Sequence, residues 1–145
     1  MPPSLISLGY QGRSVDELVV QLQCCSATIL VDIRLTPLSR KPGLSKKRLA
    51  QALKNVGIDY VHLPALGNPR DNRDPFRAGD PDSRHRFRNL MHTSEAEHAL
   101  HHVAELLDDQ AVALLCFERN HNECHRQVVV DELRRSRPEL ELFTV

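Results

Sequence analysis

The 145-residue chain reads as one α/β domain, residues 1–145, with a mostly parallel sheet of about five strands and helices on both faces. Three observations carry that reading. Short apolar runs alternate with segments of helical periodicity, and most connections between them are short. The stretch Thr28-Ile29-Leu30-Val31-Asp32-Ile33-Arg34 is a nearly unbroken β-branched run, the pattern of a strand covered on both faces. Polar and ionisable residues then follow each strand, where ligands bind in open parallel sheets.

The elements follow in order. Leu5 to Leu8 forms a short strand ending at Gly9-Tyr10-Gln11-Gly12, and Ser14-x-x-Glu17 opens a helix as a capping box with Val15, Leu18, Val19 and Leu22 on its buried face. The second strand spans Thr28 to Arg34 and stops before Pro37. A helix beginning near Ser45 carries Leu49, Ala52, Leu53 and Val56 at helical spacing and ends at Gly57, a natural left-handed cap. A third strand runs from Asp59 to Leu63.

Residues 68–90 break this rhythm. Pro69, Pro75 and Pro81 punctuate six arginines (Arg70, Arg73, Arg77, Arg84, Arg86, Arg88) interleaved with aspartates, which predicts an irregular insertion, a candidate lid or a merely solvated loop. Ser94-x-x-Glu97 predicts the start of a helix with Ala96, Ala99, Leu100, Val103 and Leu107 on its buried stripe; His98, His101 and His102 lie on its polar side. Ala111 to Phe117 is the fourth strand, a helix is expected from about Glu123 to Arg135 with Asn122 as its cap, and Glu139 to Phe143 closes the sheet.

Composition narrows the function classes. Nineteen basic and nineteen acidic residues cancel, so any preference for anions must be local. No apolar stretch is long enough to span a bilayer, and Met1-Pro2-Pro3-Ser4 lacks a charged, hydrophobic leader, so a cytoplasmic protein without a membrane partner is expected. Four cysteines, two of them adjacent as Cys24-Cys25, do not form a disulfide framework and are expected as free thiols, with Cys24 and Cys25 structural. Neither a cofactor motif nor a signal for oligomeric state is present.

The chemistry concentrates between Leu114 and Arg126, where two thiols, two imidazoles, two carboxylates and two guanidiniums bridge the fourth strand and the last helix. With Asn122 capping that helix, Cys124 and His125 sit in its first turn, where free N–H groups and the helix dipole lower a thiol pKa and attract anions. Cys124 is thus a candidate nucleophile, with a small packed residue as the plain alternative. The compact loop of cysteine phosphatases is absent, because Arg126 follows Cys124 by only two. Other strand ends add Tyr10 and Arg13, then Asp32 and Arg34, then His62.

The expected roles are Arg34, Arg126, His125 and Arg13 as anion ligands and Cys124, His62 and Glu118 as catalytic groups, Glu118 through a pKa raised by burial or by holding Arg126. Asp32 and Tyr10 are expected to orient them. A structural Asp32–Arg34 ion pair and a hydrogen-bonded structural His62 are the alternatives. Zinc binding by Cys116, His121, Cys124 and His125, with His62, is a rival use of the same residues, although the spacing is not a paired knuckle and Cys116 reads more simply as core.

One ordered set of motifs spans the chain: a Gly-Tyr pair near the start; Val31-Asp32-Ile33-Arg34 followed by Pro37 and Ser39; Tyr60-x-His62-Leu63-Pro64-x-Leu66-Gly67; and Leu115-Cys116-x-Glu118 followed by Cys124-His125-Arg126. The set resembles the domain of unknown function 488 family. The resemblance implies a small bacterial or archaeal α/β domain with its characteristic residues on one face, and no assigned activity. Gly9-Tyr10-Gln11 stands where that family commonly has Gly-His-Ser, so any chemistry of that His and Ser is missing here.

Two functional classes are therefore expected. One is an enzyme, a hydrolase or transferase, acting on a phosphorylated or nucleotide-like molecule; the other is a module that binds a nucleotide or nucleic acid without catalysis. With aromatic residues at 4% and no Trp, stacking platforms are scarce, and a small anionic ligand is favoured over nucleic acid.

Overall fold

The computed structural model of the chain describes residues 4–145, so the leaderless reading of Met1 to Pro3 falls outside it. Five strands, β1 (Ser4–Gly9), β2 (Ile29–Asp32), β3 (Asp59–His62), β4 (Val112–Cys116) and β5 (Glu141–Thr144), form one all-parallel sheet in the order β3-β2-β4-β1-β5. The three central strands are buried along almost their whole length, whereas β3 and β5 are the half-exposed edges. That difference matches the sequence, where β2 and β4 are nearly all apolar and the edges carry Asp59 and Glu141.

Alternation along the strands divides the core in two. Ile6, Leu8, Leu30, Ala113 and Leu115 face α1 (Val15–Cys24) and α2 (Lys46–Lys54), meeting Leu18, Leu22, Leu49 and Leu53. Leu5, Val31, Ile33, Leu114 and Cys116 face the opposite layer, built from α3 (Arg73–Arg77), α4 (Pro81–Leu90), α5 (Ser94–Asp109) and α6 (Arg126–Ser136). Helices thus cover both faces, as a period-two pattern of buried side chains requires. Among the described residues no helix is long and apolar enough to cross a membrane.

The Ser14 capping box forms as expected, and Gly57 takes a φ of +76° just beyond α2. The next expected cap is displaced by one residue: Thr93, not Ser94, precedes α5 and accepts from the Ala96 amide at 3.3 Å. A β-hydroxyl one position earlier does the same work, and sequence spacing alone does not separate the two.

Residues 68–90 are helical rather than irregular. Pro81 occupies the first turn of α4, where a missing N–H costs nothing, and Asp80 caps that helix by accepting from the Asp82 amide at 3.0 Å. Phe76 and Phe87 pack edge to face with centroids 6.0 Å apart in the core. Beneath them Asn72 donates to Asn68 Oδ1 at 2.9 Å and to the Ser83 carbonyl at 3.1 Å, and accepts from the Ser83 hydroxyl at 2.8 Å. The prolines that suggested an irregular segment lie at or near helix starts, and the two phenylalanines supply the burial that holds the segment down.

Gly9 ends β1 opposite Cys116, and a Cβ there would lie 2.0 Å from the Glu118 carbonyl oxygen. Backbone rather than a flexible side chain occupies the space, so nothing yields cheaply. Gly9→Ala is expected to destabilise the domain by about 3 kcal/mol or more, the upper range for overpacking, read as a drop in urea midpoint with unchanged slope.

Candidate functional site

The path of the chain places a crevice between β2 and β4. From β2 the chain runs through α2 to the β3 edge, and from β4 it runs through α6 to the β5 edge. Adjacent strands whose connections depart in opposite directions leave a gap outside their carboxyl ends, the usual ligand position in open α/β sheets. A cavity of about 330 Å³ lies there. Tyr10 follows β1, Arg34 to Thr36 follow β2, Cys116 ends β4 and His125 precedes α6, while Asn68, Arg70 and Arg73 close the cavity from the helical segment.

Arg34 is fixed by Asp32, which is completely buried. The guanidinium donates Nε to Oδ1 at 2.9 Å and Nη2 to Oδ2 at 2.7 Å, with Nη1 on the Leu44 carbonyl at 2.7 Å. Tyr60 donates its hydroxyl to Asp32 Oδ2 at 2.5 Å, and the Tyr10 ring lies 5.3 Å from the Arg34 guanidinium carbon. Burial works against the arginine charge, yet the carboxylate outweighs it and raises the Arg34 pKa. Burial, then the Asp32 carboxylate, likewise raises Tyr60. The structural ion pair named as an alternative is therefore present, and it orients Arg34 at the cavity wall.

His125 is the second fixed point. Its Nε2 donates to the Ile33 carbonyl at 3.1 Å, and its ring packs edge to face on Phe87 at 5.2 Å. The Nδ1 atom faces two sulfurs, Cys116 Sγ and Cys124 Sγ, each at 3.7 Å.

The start of the last helix differs from the sequence expectation. Asn120, not Asn122, is the capping residue, and what it caps is a single 3-10 turn, His121–Glu123. Cys124 closes that turn by donating its amide to the His121 carbonyl, and α6 begins only at Arg126. Cys124 thus lies ahead of the helix with its side chain 1% exposed, and burial followed by hydrogen bonding with Cys116 pushes its thiol well above the usual range. The expected lowering is reversed, because loss of water outweighs the nearby positive charges.

Four other nominated residues lie away from the cavity. Arg126 is fully buried between α6 and β1, donating Nε to Ser7 Oγ at 2.8 Å and Nη2 to the Glu118 carbonyl at 2.5 Å. Glu118 does not hold Arg126 through its carboxylate, which pairs with Arg77 at 3.1 Å. Burial would raise the Glu118 pKa, but backbone hydrogen bonding and Arg77 prevail and lower it, against the expected direction. His62 Nε2 donates to the Arg34 carbonyl at 2.7 Å from the edge strand. Arg13 donates to the Gly9 carbonyl at 3.2 Å and lines a separate recess with Arg119 and His121.

The structure thus brings together Tyr10, Arg34 and His125, with Asp32 behind Arg34 and Cys124 behind His125. The sequence reading names Arg70 and Arg73 among the arginines of the insertion and Cys116 as a core residue or zinc ligand, without counting any of them among the anion ligands or catalytic groups. The position of Cys116 as the last residue of a buried strand was the available signal, whereas Arg70 and Arg73 depend on how the helical segment folds back. Most neighbouring arginines there have internal partners: Arg84 donates to Gln127 and to the Asn122 carbonyl and stacks on Phe76, and Arg86 pairs with Asp71. All four cysteines are free thiols; Cys24, expected as structural, is exposed.

An all-parallel five-stranded α/β domain with its crevice at a topological switch point is the class that fold and site define. The chain belongs to the family described as Domain of unknown function DUF488, which it matches over residues 14–133. No curated protein and no solved structure matches it.

His121 yields a pH prediction. Ser7 accepts from Arg126 and lies 2.6 Å from His121 Nδ1, to which its hydroxyl donates when the imidazole is neutral. Burial first and then the Arg126 charge depress the His121 pKa to about 4 from an ordinary 6.5. The unfolded chain therefore binds the proton more readily, and stability present above pH 6.5 is lost as pH falls through that value towards 4. Melting temperatures of wild type are expected to fall more steeply over that window than those of His121→Asn.

Proposed function

We propose that this domain binds a small anionic ligand, a phosphorylated or nucleotide-like molecule, in the cavity between β2 and β4. The observation that carries the reading is the charge of the lining: Arg34, Arg70 and Arg73 contribute to it, and no aspartate or glutamate does. Arg34 is already neutralised by Asp32, so the uncompensated charge resides on Arg70 and Arg73. Both are exposed, and neither has a carboxylate partner among the described residues. Two guanidiniums facing one recess match the fork geometry of a phosphate.

The remaining wall suits the same guest. Tyr10 and Asn68 complete the lining, and the volume lies near the lower end for ligand pockets, which favours a compact phosphorylated molecule over a dinucleotide. A thiolate nucleophile draws less support, because Cys124 is buried and its thiol is held protonated. A nucleic-acid surface also draws less support, since Arg77, Arg84 and Arg86 are engaged within the domain.

Calorimetric titration of the full chain with inorganic phosphate and with a nucleoside monophosphate tests the reading. Arg70→Ala with Arg73→Ala is expected to weaken binding about tenfold or more, since a hydrogen bond to a charged group contributes roughly 1.5–3 kcal/mol. Arg135→Ala, on the exposed side of α6, serves as the charge-matched control. Equal affinity of wild type and the double variant for both probes overturns the reading.

A further inference from the structure

We propose that Cys116, Cys124 and His125 form a binding site for a thiophilic divalent transition-metal ion of the zinc type, open on the cavity side. Their donor atoms all lie within 4.8 Å of one another, and each Sγ is 3.7 Å from His125 Nδ1. Zinc–sulfur bonds of about 2.3 Å and zinc–nitrogen bonds of about 2.0–2.1 Å at tetrahedral angles set a sulfur–nitrogen separation of about 3.6 Å and a sulfur–sulfur separation of about 3.8 Å. Both observed sulfur–nitrogen distances therefore already suit coordination, and the sulfur pair needs to close by no more than about 1 Å.

The imidazole is prepared for the role. Its Nε2–H is committed to the Ile33 carbonyl, so Nδ1 carries the lone pair, and that lone pair points at the two sulfurs. A backbone carbonyl on the far nitrogen is the usual support of a ligating histidine. Phe87 holds the ring plane from the other side. One lone pair also serves poorly as acceptor for two thiol protons, whereas an ion placed among the three atoms engages every donor. Coordination displaces the two thiol protons to solvent, and the resulting thiolates cancel the double charge of the ion, so the filled site places no net charge in the core.

Three protein ligands leave one position, and because Cys116 and His125 line the cavity, that position faces it. With an ion bound, water would fill that position in the absence of a guest, and an oxygen of a bound anion would replace it. The ion site itself does not depend on the anion reading; only the identity of the fourth ligand does.

The test uses the full chain, reduced and freed of metal with a chelator. Cobalt(II) is expected to give a thiolate-to-metal charge-transfer absorption that saturates at one equivalent and is displaced by zinc(II). Cys116→Ser and Cys124→Ser are each expected to lose the absorption and to weaken zinc binding beyond the roughly 10–100-fold that losing an outer-shell partner costs. Cys24→Ser with Cys25→Ser is expected to retain both. Zinc is expected to raise the melting temperature of wild type and not of Cys116→Ala. Absence of the absorption in the folded, reduced wild type overturns the site, as does its loss in the Cys24/Cys25 variant, and neither outcome requires the buried-cysteine variants to fold. Phosphate titration with and without zinc separates the two proposals: phosphate binding without a cobalt signal defeats the ion site alone, and a cobalt signal without phosphate binding defeats the anion reading alone.

Discussion

The buried Asp32–Arg34 pair is the constraint around which the crevice is arranged. A carboxylate with no solvent exposure is tolerable only when its oxygens are occupied, and here Arg34 and Tyr60 occupy them. Four segments meet through this pair: the end of β2 and the residues just after it supply it, β3 contributes Tyr60 and His62, the approach to α2 contributes the Leu44 carbonyl, and the turn after β1 lays Tyr10 against the guanidinium. A buried ion pair adds little net stability against the loss of hydration, but removing one partner costs about 3–5 kcal/mol. Its contribution is therefore to geometry, since these segments must converge for both charges to be satisfied.

The opposite wall is built on a different principle. His125 is held by a backbone carbonyl and an aromatic face, and it presents an unshared nitrogen to two thiols in a dry setting. One wall is thus an ion pair whose hydrogen bonds are filled, and the other has donor atoms to spare. The two guanidiniums that bring net positive charge come from neither wall but from the helical segment above them. The division matters chemically, because saturated groups shape a site whereas unsaturated ones do its binding.

Much of the architecture was legible in the chain. Unbroken apolar runs marked the central strands, the Ser14 box and Gly57 marked helix ends, and polar residues after each strand pointed to the end of the sheet where the cavity lies. Three features were not. Prolines at 69, 75 and 81 looked like interruptions because proline fits a loop and a first helical turn equally well; the anchoring by Phe76 and Phe87 is a tertiary fact. The single turn His121–Glu123 displaced the start of α6 and with it the setting of Cys124. Arg126, Glu118 and His62 had the right chemistry, yet local hydrogen bonds and an ion pair with Arg77 turned them elsewhere. Residue type and spacing indicate which groups can act, while burial decides which of them reach the cavity.

The segment between β4 and α6 is fastened at both ends. Near β4, Gly9 allows the backbone of Glu118 to press against β1, and the Gln11 amide donates to the Phe117 carbonyl at 2.9 Å. Near α6, Arg126 reaches across to Ser7 on the same strand. A stretch clamped twice to one rigid rod cannot swing outward without tearing both attachments. The far bank of the crevice, residues 68–77, is held by Phe76 in the core and by the Asn68–Asn72–Ser83 hydrogen bonds, while the side chains of Arg70 and Arg73 stand in solvent. Both banks of the crevice are thus anchored through their backbones, and the freedom left at the rim is that of two exposed guanidinium side chains.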